Sequence, residues 1–248
     1  MTLGAIMKLG LRIALAAGMF ALAISGDVLA DHNVRIGFYG DSTVYGSTLV
    51  DGEYPQSPSN EPEILQALLQ ARYRGNESSN VYVENHGVPG SVCSDFLWGQ
   101  NKVKSDWKTE MATSPVDIVI MGTGINDAGR LSYNDLIFCY QHLSAIANQA
   151  GKIFIVETPN PVDYAWNSDL WSVVHVETYA ASSTGALLID QWNYIMASVP
   201  NWSSMLSDKI HPNDSLYSLK AAHTFKVIAP AVDVAMQKKQ TGLKTRIP

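Results

Sequence analysis

One stretch of the chain, Val34-Arg35-Ile36-Gly37-Phe38-Tyr39-Gly40-Asp41-Ser42-Thr43, indicates the class of fold that the chain adopts. Its apolar residues alternate and then stop at a glycine, a pattern typical of a buried strand that ends in a turn. In open parallel sheets, ligands bind at the carboxyl ends of the strands. Ser42 comes directly after this strand and is therefore a candidate nucleophile.

Four more strand-like runs follow, and helical patterns separate them. The strand-like runs cover residues 81–83, 117–121, 152–157 and 186–189, and the helical patterns cover residues 61–73, 133–150, 168–184 and a last helix that begins near Asp214 and contains Pro230. Strands that alternate with helices are typical of a parallel sheet with helices on both faces. The sequence therefore predicts an α/β fold with a central five-stranded parallel sheet.

Length and composition limit the kind of protein and its partners. The chain has 248 residues, of which 46% are hydrophobic, so it can bury the core of one sizeable domain. Its net charge is −6, whereas nucleic-acid binding relies on clustered Lys and Arg. The composition argues against a nucleic-acid partner.

The first thirty residues have the pattern of a secretory signal peptide. Two basic residues precede an almost wholly apolar run from Ile13 to Ser25, and small residues follow just before Asp31. This predicts a signal peptide over residues 1–30, cleavage near Ala30, and a single domain over residues 31–248. The mature protein is expected in the periplasm or outside the cell, without a stable membrane anchor.

The two cysteines, Cys93 and Cys139, both follow the predicted cleavage site, in a compartment that permits disulfides. They are a candidate disulfide, and two separate buried thiols are an equally good interpretation. Neither the cysteines nor the histidines have the repeated spacing of a metal site. The sequence predicts no metal and no cofactor.

Four short blocks carry the candidate chemistry. They are Gly-Asp-Ser at Ser42, an Asn-x-x-x-x-Gly turn ending at Gly90, Gly-x-Asn-Asp with Asn126, and Asp-x-x-His from Asp208 to His211. In this order and at these spacings, the blocks resemble those of the SGNH (GDSL-like) hydrolase superfamily. The resemblance extends from Gly40 to His211. The Gly-x-Ser-x-Gly elbow of the α/β-hydrolases is absent.

The resemblance implies a three-layer flavodoxin-like fold and a role for each residue of the blocks. Ser42 would be the nucleophile, His211 the general base and then acid, and Asp208 the group that orients His211. The N–H groups of Ser42 and Gly90 and the amide of Asn126 would form the oxyanion hole. Physical chemistry is consistent with these roles, because a serine hydroxyl needs a base, an orienting group and oxyanion donors. Taken singly, Gly90 and Asn126 could equally be a turn glycine and a cap.

The function that these observations favour is an exported serine esterase that forms an acyl-enzyme and acts on a small-molecule or carbohydrate ester. A short acyl group, above all acetyl, is favoured. Trp98 and Trp166, on predicted loops, are candidates to stack on a sugar ring. Two alternatives would use the same triad and stay open, a thioesterase or lysophospholipase for longer acyl chains, and a polysaccharide O-acetyltransferase. A binding protein that only retains the fold is a further alternative, against which the complete set of blocks counts.

Overall fold

A five-stranded sheet lies at the centre of this computed structural model, which describes residues 33–74, 80–165 and 167–244. The predicted signal peptide and Trp166 lie outside the described residues. The strands are β1 (Val34–Gly40), β2 (Val81–Gly87), β3 (Ile118–Gly122), β4 (Ile153–Glu157) and β5 (Leu187–Ile189). All four neighbouring pairs are parallel. The predicted five-stranded parallel sheet is confirmed.

The strand order is β2-β1-β3-β4-β5, which is that of flavodoxin-like folds. The chain leaves β1 for β2 on one side and returns to β3 on the other, so the connections diverge between β1 and β3. In folds of this kind, the crevice beyond the carboxyl ends of the strands at that point is where ligands bind. Ser42 follows β1 and Asn126 follows β3, so the topology brings both residues to this crevice.

The helices form the outer layers. They are α1 (Ser42–Tyr45), α2 (Glu61–Tyr73), α3 (Cys93–Trp98), α4 (Trp107–Thr113), α5 (Tyr133–Gln149), α6 (Asn167–Thr184), α7 (Gln191–Ser198) and α8 (Asp214–Lys244). One sheet face packs against α2 and α8, and the other against α3 to α6, so the inner strands β1, β3 and β4 are buried on both sides. This explains the nearly continuous apolar runs of the strand sequences.

The four predicted helices correspond to α2, α5, α6 and α8, with ends that differ by only a few residues. Four shorter helices, α1, α3, α4 and α7, were not predicted. They have between four and eight residues, too few to show a helical period. Among the helices of the described residues, none has the length and apolar character needed to cross a membrane.

A disulfide joins Cys93, the first residue of α3, to Cys139 in α5, with a Cα–Cα distance of 6.3 Å. Both residues are buried in the layer that covers one face of the sheet. The structure therefore has the bonded arrangement, one of the two interpretations that the sequence left open. The bond fixes the start of α3, which directly follows the turn that contains Gly90.

Candidate active site

Ser42 is presented by a tight strand–turn–helix connection. β1 ends at Gly40, Asp41 caps α1, and Ser42 is the first residue of that helix. The Asp41 carboxylate accepts hydrogen bonds from the Thr43 N–H at 2.8 Å and the Thr43 hydroxyl at 2.9 Å. A Cβ on Gly40 would lie 2.1 Å from the carbonyl oxygen of Gly122, so only glycine lets β1 approach β3 this closely.

Asp208 and His211 lie on one short loop just before α8. Asp208 Oδ1 accepts the N–H groups of Ile210 at 3.0 Å and of His211 at 2.7 Å. Its other oxygen, Oδ2, is 2.8 Å from Nδ1 of the His211 ring. The carboxylate therefore holds both the backbone and the imidazole of His211, as the three-residue spacing predicts.

The imidazole of His211 completes a chain of contacts to the serine. Its Nε2 atom lies 2.9 Å from the Ser42 hydroxyl oxygen, although the two residues are 169 positions apart. Burial alone would raise the pKa of Asp208, but hydrogen bonds from the His211 N–H and imidazole outweigh it and keep that pKa below its ordinary value. Asp208 thus stays ionised and favours the tautomer of His211 whose Nε2 can accept the serine proton.

Two neighbouring segments fix the loop that carries Asp208 and His211. The Ser207 hydroxyl donates to the His211 carbonyl at 3.1 Å and accepts the N–H of Leu49 at 2.9 Å. Asn160, which follows β4, donates from its side-chain amide to the carbonyl of Ile210 at 3.1 Å. Sequence reasoning missed both contacts. The signal for Asn160 was its position between two prolines just beyond a strand end.

Two of the three predicted oxyanion donors, Gly90 and Asn126, lie on two cross-linked loops. Gly90 has a φ of +85°, which favours glycine, and open space where a Cβ would lie. Within the described residues, its N–H donates to no protein acceptor, while its carbonyl accepts a hydrogen bond from Arg130 at 3.3 Å. The Asn126 amide donates to the carbonyl of Ser91 at 3.2 Å, which ties the Asn126 loop to the Gly90 loop.

Asp127 holds the Gly90 loop and the Asn126 loop in place through backbone hydrogen bonds. Its two carboxylate oxygens accept the N–H of Cys93 and the N–H of Gly124, each at 2.8 Å. Burial raises the pKa of Asp127 to about 7, against the lowering effect of these two hydrogen bonds. Asp127 therefore supports the site without facing the cavity.

A cavity of about 370 Å³ brings these groups together. Its lining consists of Ser42, Ser47, Tyr54, Pro89, Gly90, Ile125, Asn126, Ile210 and His211. The predicted nucleophile, general base and oxyanion residues thus share one cavity, and Asp208 lies behind His211. Trp98 is exposed at the end of α3 and does not line this cavity.

A second group of charged side chains, here called the buried charge cluster, consists of Glu61, Glu157 and Lys220. The Lys220 ammonium lies 2.9 Å from Glu61 Oε2 and 3.3 Å from Glu157 Oε1. All three side chains are almost completely buried, and none of them lines the cavity that contains Ser42 and His211. The cluster joins α2, β4 and α8. Sequence reasoning did not find it.

No group of three His, Cys, Asp or Glu side chains within the described ranges is placed to hold a metal ion. The arrangement around Ser42 supports acyl transfer by other means. A neutral imidazole can take the serine proton, and donors on the facing loops can stabilise an oxyanion.

A comparison with models of known protein families identifies the family of this chain. The family model of the GDSL-like lipase/acylhydrolase family matches residues 38–219, which is most of the chain and includes all four sequence blocks. A search of curated proteins gives no match.

Solved structures agree in fold. The lipase/acylhydrolase from Enterococcus faecalis is 18% identical with a TM-score of 0.64, and the alignment covers 80% of this chain and 96% of that one. An acetylxylan esterase from Geobacillus stearothermophilus is 19% identical with a TM-score of 0.61, with coverage of 79% and 94%. At these identities, the likeness establishes the fold, while the family model establishes membership. The chain belongs to the GDSL-like lipase/acylhydrolase family of SGNH hydrolases and is a serine hydrolase that acts on ester bonds.

Proposed function

We propose that the protein is an exported esterase that removes short acyl groups, above all acetyl, from a carbohydrate or another small alcohol. The observation that carries this proposal is the chain of contacts from Asp208 through His211 to Ser42, which ends in an open cavity lined by Gly90 and Asn126. The acetylxylan esterase among the structural relatives supports the choice of substrate.

In the first half of the reaction, Ser42 Oγ attacks the ester carbonyl carbon while His211 Nε2 takes the hydroxyl proton. Asp208, 2.8 Å from the other ring nitrogen, stabilises the imidazolium. The oxygen that becomes negative is stabilised by hydrogen bonds from the Ser42 and Gly90 N–H groups and the Asn126 amide. When the C–O bond to the alcohol breaks, His211 gives its proton to the departing oxygen, and the acyl group remains on Ser42.

In the second half, a water molecule takes the place of the alcohol. His211 removes a proton from this water as it attacks the acyl carbon, and the same donors stabilise the second oxyanion. Collapse of this intermediate returns the proton from His211 to Ser42 Oγ and releases the carboxylic acid. The residues of the site supply every proton transfer.

The preference for a short acyl group is argued from the cavity lining. Among its residues, the aliphatic surface comes from Pro89, Ile125 and Ile210. Each buried CH₂ of an acyl chain contributes about 0.8 kcal/mol of binding, so a long chain would need more apolar surface than these three residues offer. A thioesterase or lysophospholipase is therefore less well supported than an acetylesterase.

The test is an ester-hydrolysis assay of the mature protein and its Ser42→Ala variant, with p-nitrophenyl acetate and p-nitrophenyl octanoate. We expect faster turnover of the acetyl ester and a loss of about 10⁴-fold to 10⁶-fold in kcat for Ser42→Ala. Ser203→Ala, at an exposed serine of the 3-10 turn Trp202–Met205, is the matched control. Turnover that persists in Ser42→Ala would contradict the proposed nucleophile, and a strong octanoyl preference would contradict the acetylesterase.

Two further measurements test the remaining parts of the proposal. Product analysis with an acetyl donor and a glycan together separates hydrolysis from O-acetyl transfer, and we expect free acetate. The proposed export rests on the amino-terminal sequence pattern. Amino-terminal sequencing of the protein from its native host should begin at Asp31, whereas an intact Met1 in the exported fraction would contradict cleavage near Ala30.

A further inference from the structure

The Gly-, Pro- and Ser-rich stretch after α1 forms an ordered hairpin beside the catalytic loop. Ser47 and Gln56 form an antiparallel bridge, and the Val50 and Glu53 backbones exchange two hydrogen bonds of 3.0 Å. Asp51 and Gly52 both have positive φ, as a two-residue hairpin turn of the Asp-Gly type requires. We call this segment the 47–56 hairpin.

Contacts on both sides hold the 47–56 hairpin in place. The N–H of Leu49 donates to the Ser207 hydroxyl at 2.9 Å, and the Tyr217 hydroxyl donates to the Ser47 carbonyl at 2.8 Å. Ser207 in turn contacts the His211 carbonyl. The hairpin is therefore fixed relative to the catalytic base.

This hairpin places Tyr54 at the edge of the catalytic cavity. Tyr54 is 51% exposed, lines the same cavity as Ser42, and has its ring centroid 5.2 Å from that of the His211 ring. A hydrogen-bonding contact with Asp208 raises the pKa of the Tyr54 hydroxyl. The ring thus packs beside the His211 imidazole, while about half of the residue's surface remains open to solvent.

A second tyrosine, Tyr164, extends the same edge. Tyr164 is 43% exposed, and the Lys209 ammonium lies 5.5 Å from its ring centroid, on the loop between Asp208 and His211. The N–H of the preceding residue, Asp163, donates to the carbonyl of Lys209 at 2.8 Å, which holds Tyr164 beside the loop of Asp208 and His211. We call Tyr54 and Tyr164 the tyrosine rim.

The chemistry of ester cleavage decides which part of a substrate meets this rim. His211 must give its proton to the departing alcohol oxygen, so the alcohol has to lie on the His211 side of Ser42. The carbonyl oxygen instead points toward the Gly90 and Asn126 donors. Because Tyr54 packs against His211, it lies on the side of Ser42 from which the alcohol departs.

An exposed aromatic face beside a departing alcohol favours an alcohol with a flat apolar face of its own. Pyranose rings have such faces, formed by their axial C–H groups, whereas a short aliphatic alcohol covers little of the ring. Tyrosine supplies this contact area with few side-chain rotations to freeze. We infer that Tyr54, extended by Tyr164, is the platform on which the alcohol part of the ester binds, and that it selects a pyranose over a small alcohol. This inference rests on the proposed esterase function.

The experiment compares two acetyl esters that differ in the alcohol, peracetylated methyl β-D-xylopyranoside and ethyl acetate. Tyr54→Ala removes the ring, Tyr54→Phe keeps the ring and removes the hydroxyl, and Tyr179→Ala is the control at an exposed tyrosine of α6. We expect the ratio of kcat/KM for the glycoside to that for ethyl acetate to fall about tenfold in Tyr54→Ala, mainly through a higher KM for the glycoside. We expect Tyr54→Phe to stay within about threefold of the native ratio, and Tyr179→Ala to match the native ratio.

Other outcomes overturn the inference. An unchanged ratio in Tyr54→Ala, or an equal fall in Tyr54→Phe, would show that the ring does not select the alcohol, while ester hydrolysis by the native protein would leave the proposed esterase intact. A native protein that cleaves ethyl acetate but not the glycoside would overturn both the platform and the carbohydrate substrate. A native protein that cleaves neither ester would overturn the proposed function itself.

Discussion

The proposed catalytic triad of Ser42, His211 and Asp208 and the buried charge cluster are built from the same kinds of contact but differ in their access to solvent. Asp208 and His211 are 2.8 Å apart, and Lys220 lies 2.9 Å and 3.3 Å from its two glutamates. The Asp208 and His211 side chains keep 10% and 14% of their surface exposed, next to the cavity that holds Ser42. The side chains of the buried charge cluster keep between 0% and 2%.

The pKa shifts in the buried charge cluster are larger than that of Asp208, although the cluster lies away from the proposed chemistry. Burial and the neighbouring Glu61 raise the pKa of Glu157 well above its ordinary value. Burial alone would lower the pKa of Lys220, but the two carboxylates outweigh it and raise that pKa. Titratable groups with strongly shifted pKa values often indicate a functional site. Here, access to an open cavity separates the triad from a cluster that fastens α2, β4 and α8.

The largest expected difference between the two regions is in activity. Replacing His211 with alanine should lower kcat for p-nitrophenyl acetate by about 10⁴-fold to 10⁶-fold, because Ser42 loses its base. The free energy of unfolding, from urea denaturation, should change by no more than about 1–2 kcal/mol. Near-native turnover in His211→Ala would contradict the assigned role.

The buried charge cluster should give the opposite result. Lys220→Met leaves two buried carboxylates without their cation, so the free energy of unfolding should fall by about 3–5 kcal/mol. Below the melting temperature, kcat should stay within about threefold of the native value. Lys226→Met, at an exposed lysine of the same helix, is the control and should change stability by less than about 0.5 kcal/mol. A loss of activity in folded Lys220→Met would place the cluster in the reaction.

A smaller catalytic effect is expected at Asn126, one of the three predicted oxyanion donors. Asn126→Ala should lower kcat by about 10²-fold to 10³-fold with little change in KM, because its amide stabilises charge that develops only during the reaction. The melting temperature of the variant measures how much stability is lost with the hydrogen bond from Asn126 to the carbonyl of Ser91. A variant in which KM rises while kcat is unchanged would assign Asn126 to substrate binding instead.

The smallest expected effect is a pH dependence of stability from Asp127. The pKa of Asp127 is raised to about 7 in the folded chain, whereas an unfolded aspartate has a pKa of about 4. The folded state therefore binds this proton more tightly, and its stability falls as pH rises through this interval. Between pH 5 and pH 8, the loss should be roughly 2–3 kcal/mol.

Asp127→Asn cannot ionise and should lack this loss. Urea denaturation of both proteins at each pH isolates the contribution of Asp127, because all other titrating groups are shared. From pH 5 to pH 8, the free energy of unfolding of the native protein should fall by roughly 2–3 kcal/mol relative to that of Asp127→Asn. Parallel curves would show that Asp127 is ionised throughout, as its two N–H donors alone would favour.

The comparison also explains what could be predicted from the sequence. Ser42, Gly90, Asn126 and the pair Asp208 and His211 each occur in a short local block after a strand or before a helix, so order and spacing were enough to find them. The fold was predictable for a similar reason, because strands buried on both faces leave continuous apolar runs.

The unpredicted features depend on contacts between distant parts of the chain. Glu61, Glu157 and Lys220 lie in separate elements with no shared motif, and the choice between a disulfide and two thiols depends on how α3 packs on α5. The 47–56 hairpin is different, because Asp51-Gly52 is a strong hairpin signal within the sequence. The surrounding Gly, Pro and Ser residues are typical of a surface loop and hide this signal.

The most direct test of the account is covalent labelling with a serine-reactive fluorophosphonate, followed by peptide mass spectrometry. An activated serine beside a neutral imidazole should attack phosphorus and displace fluoride, which leaves a stable adduct on the serine oxygen. We predict one adduct, on the peptide that contains Ser42, loss of esterase activity in proportion to labelling, and labelling of His211→Ala that is slower by orders of magnitude. An adduct on a different serine, or full activity in a protein fully labelled at Ser42, would contradict the account.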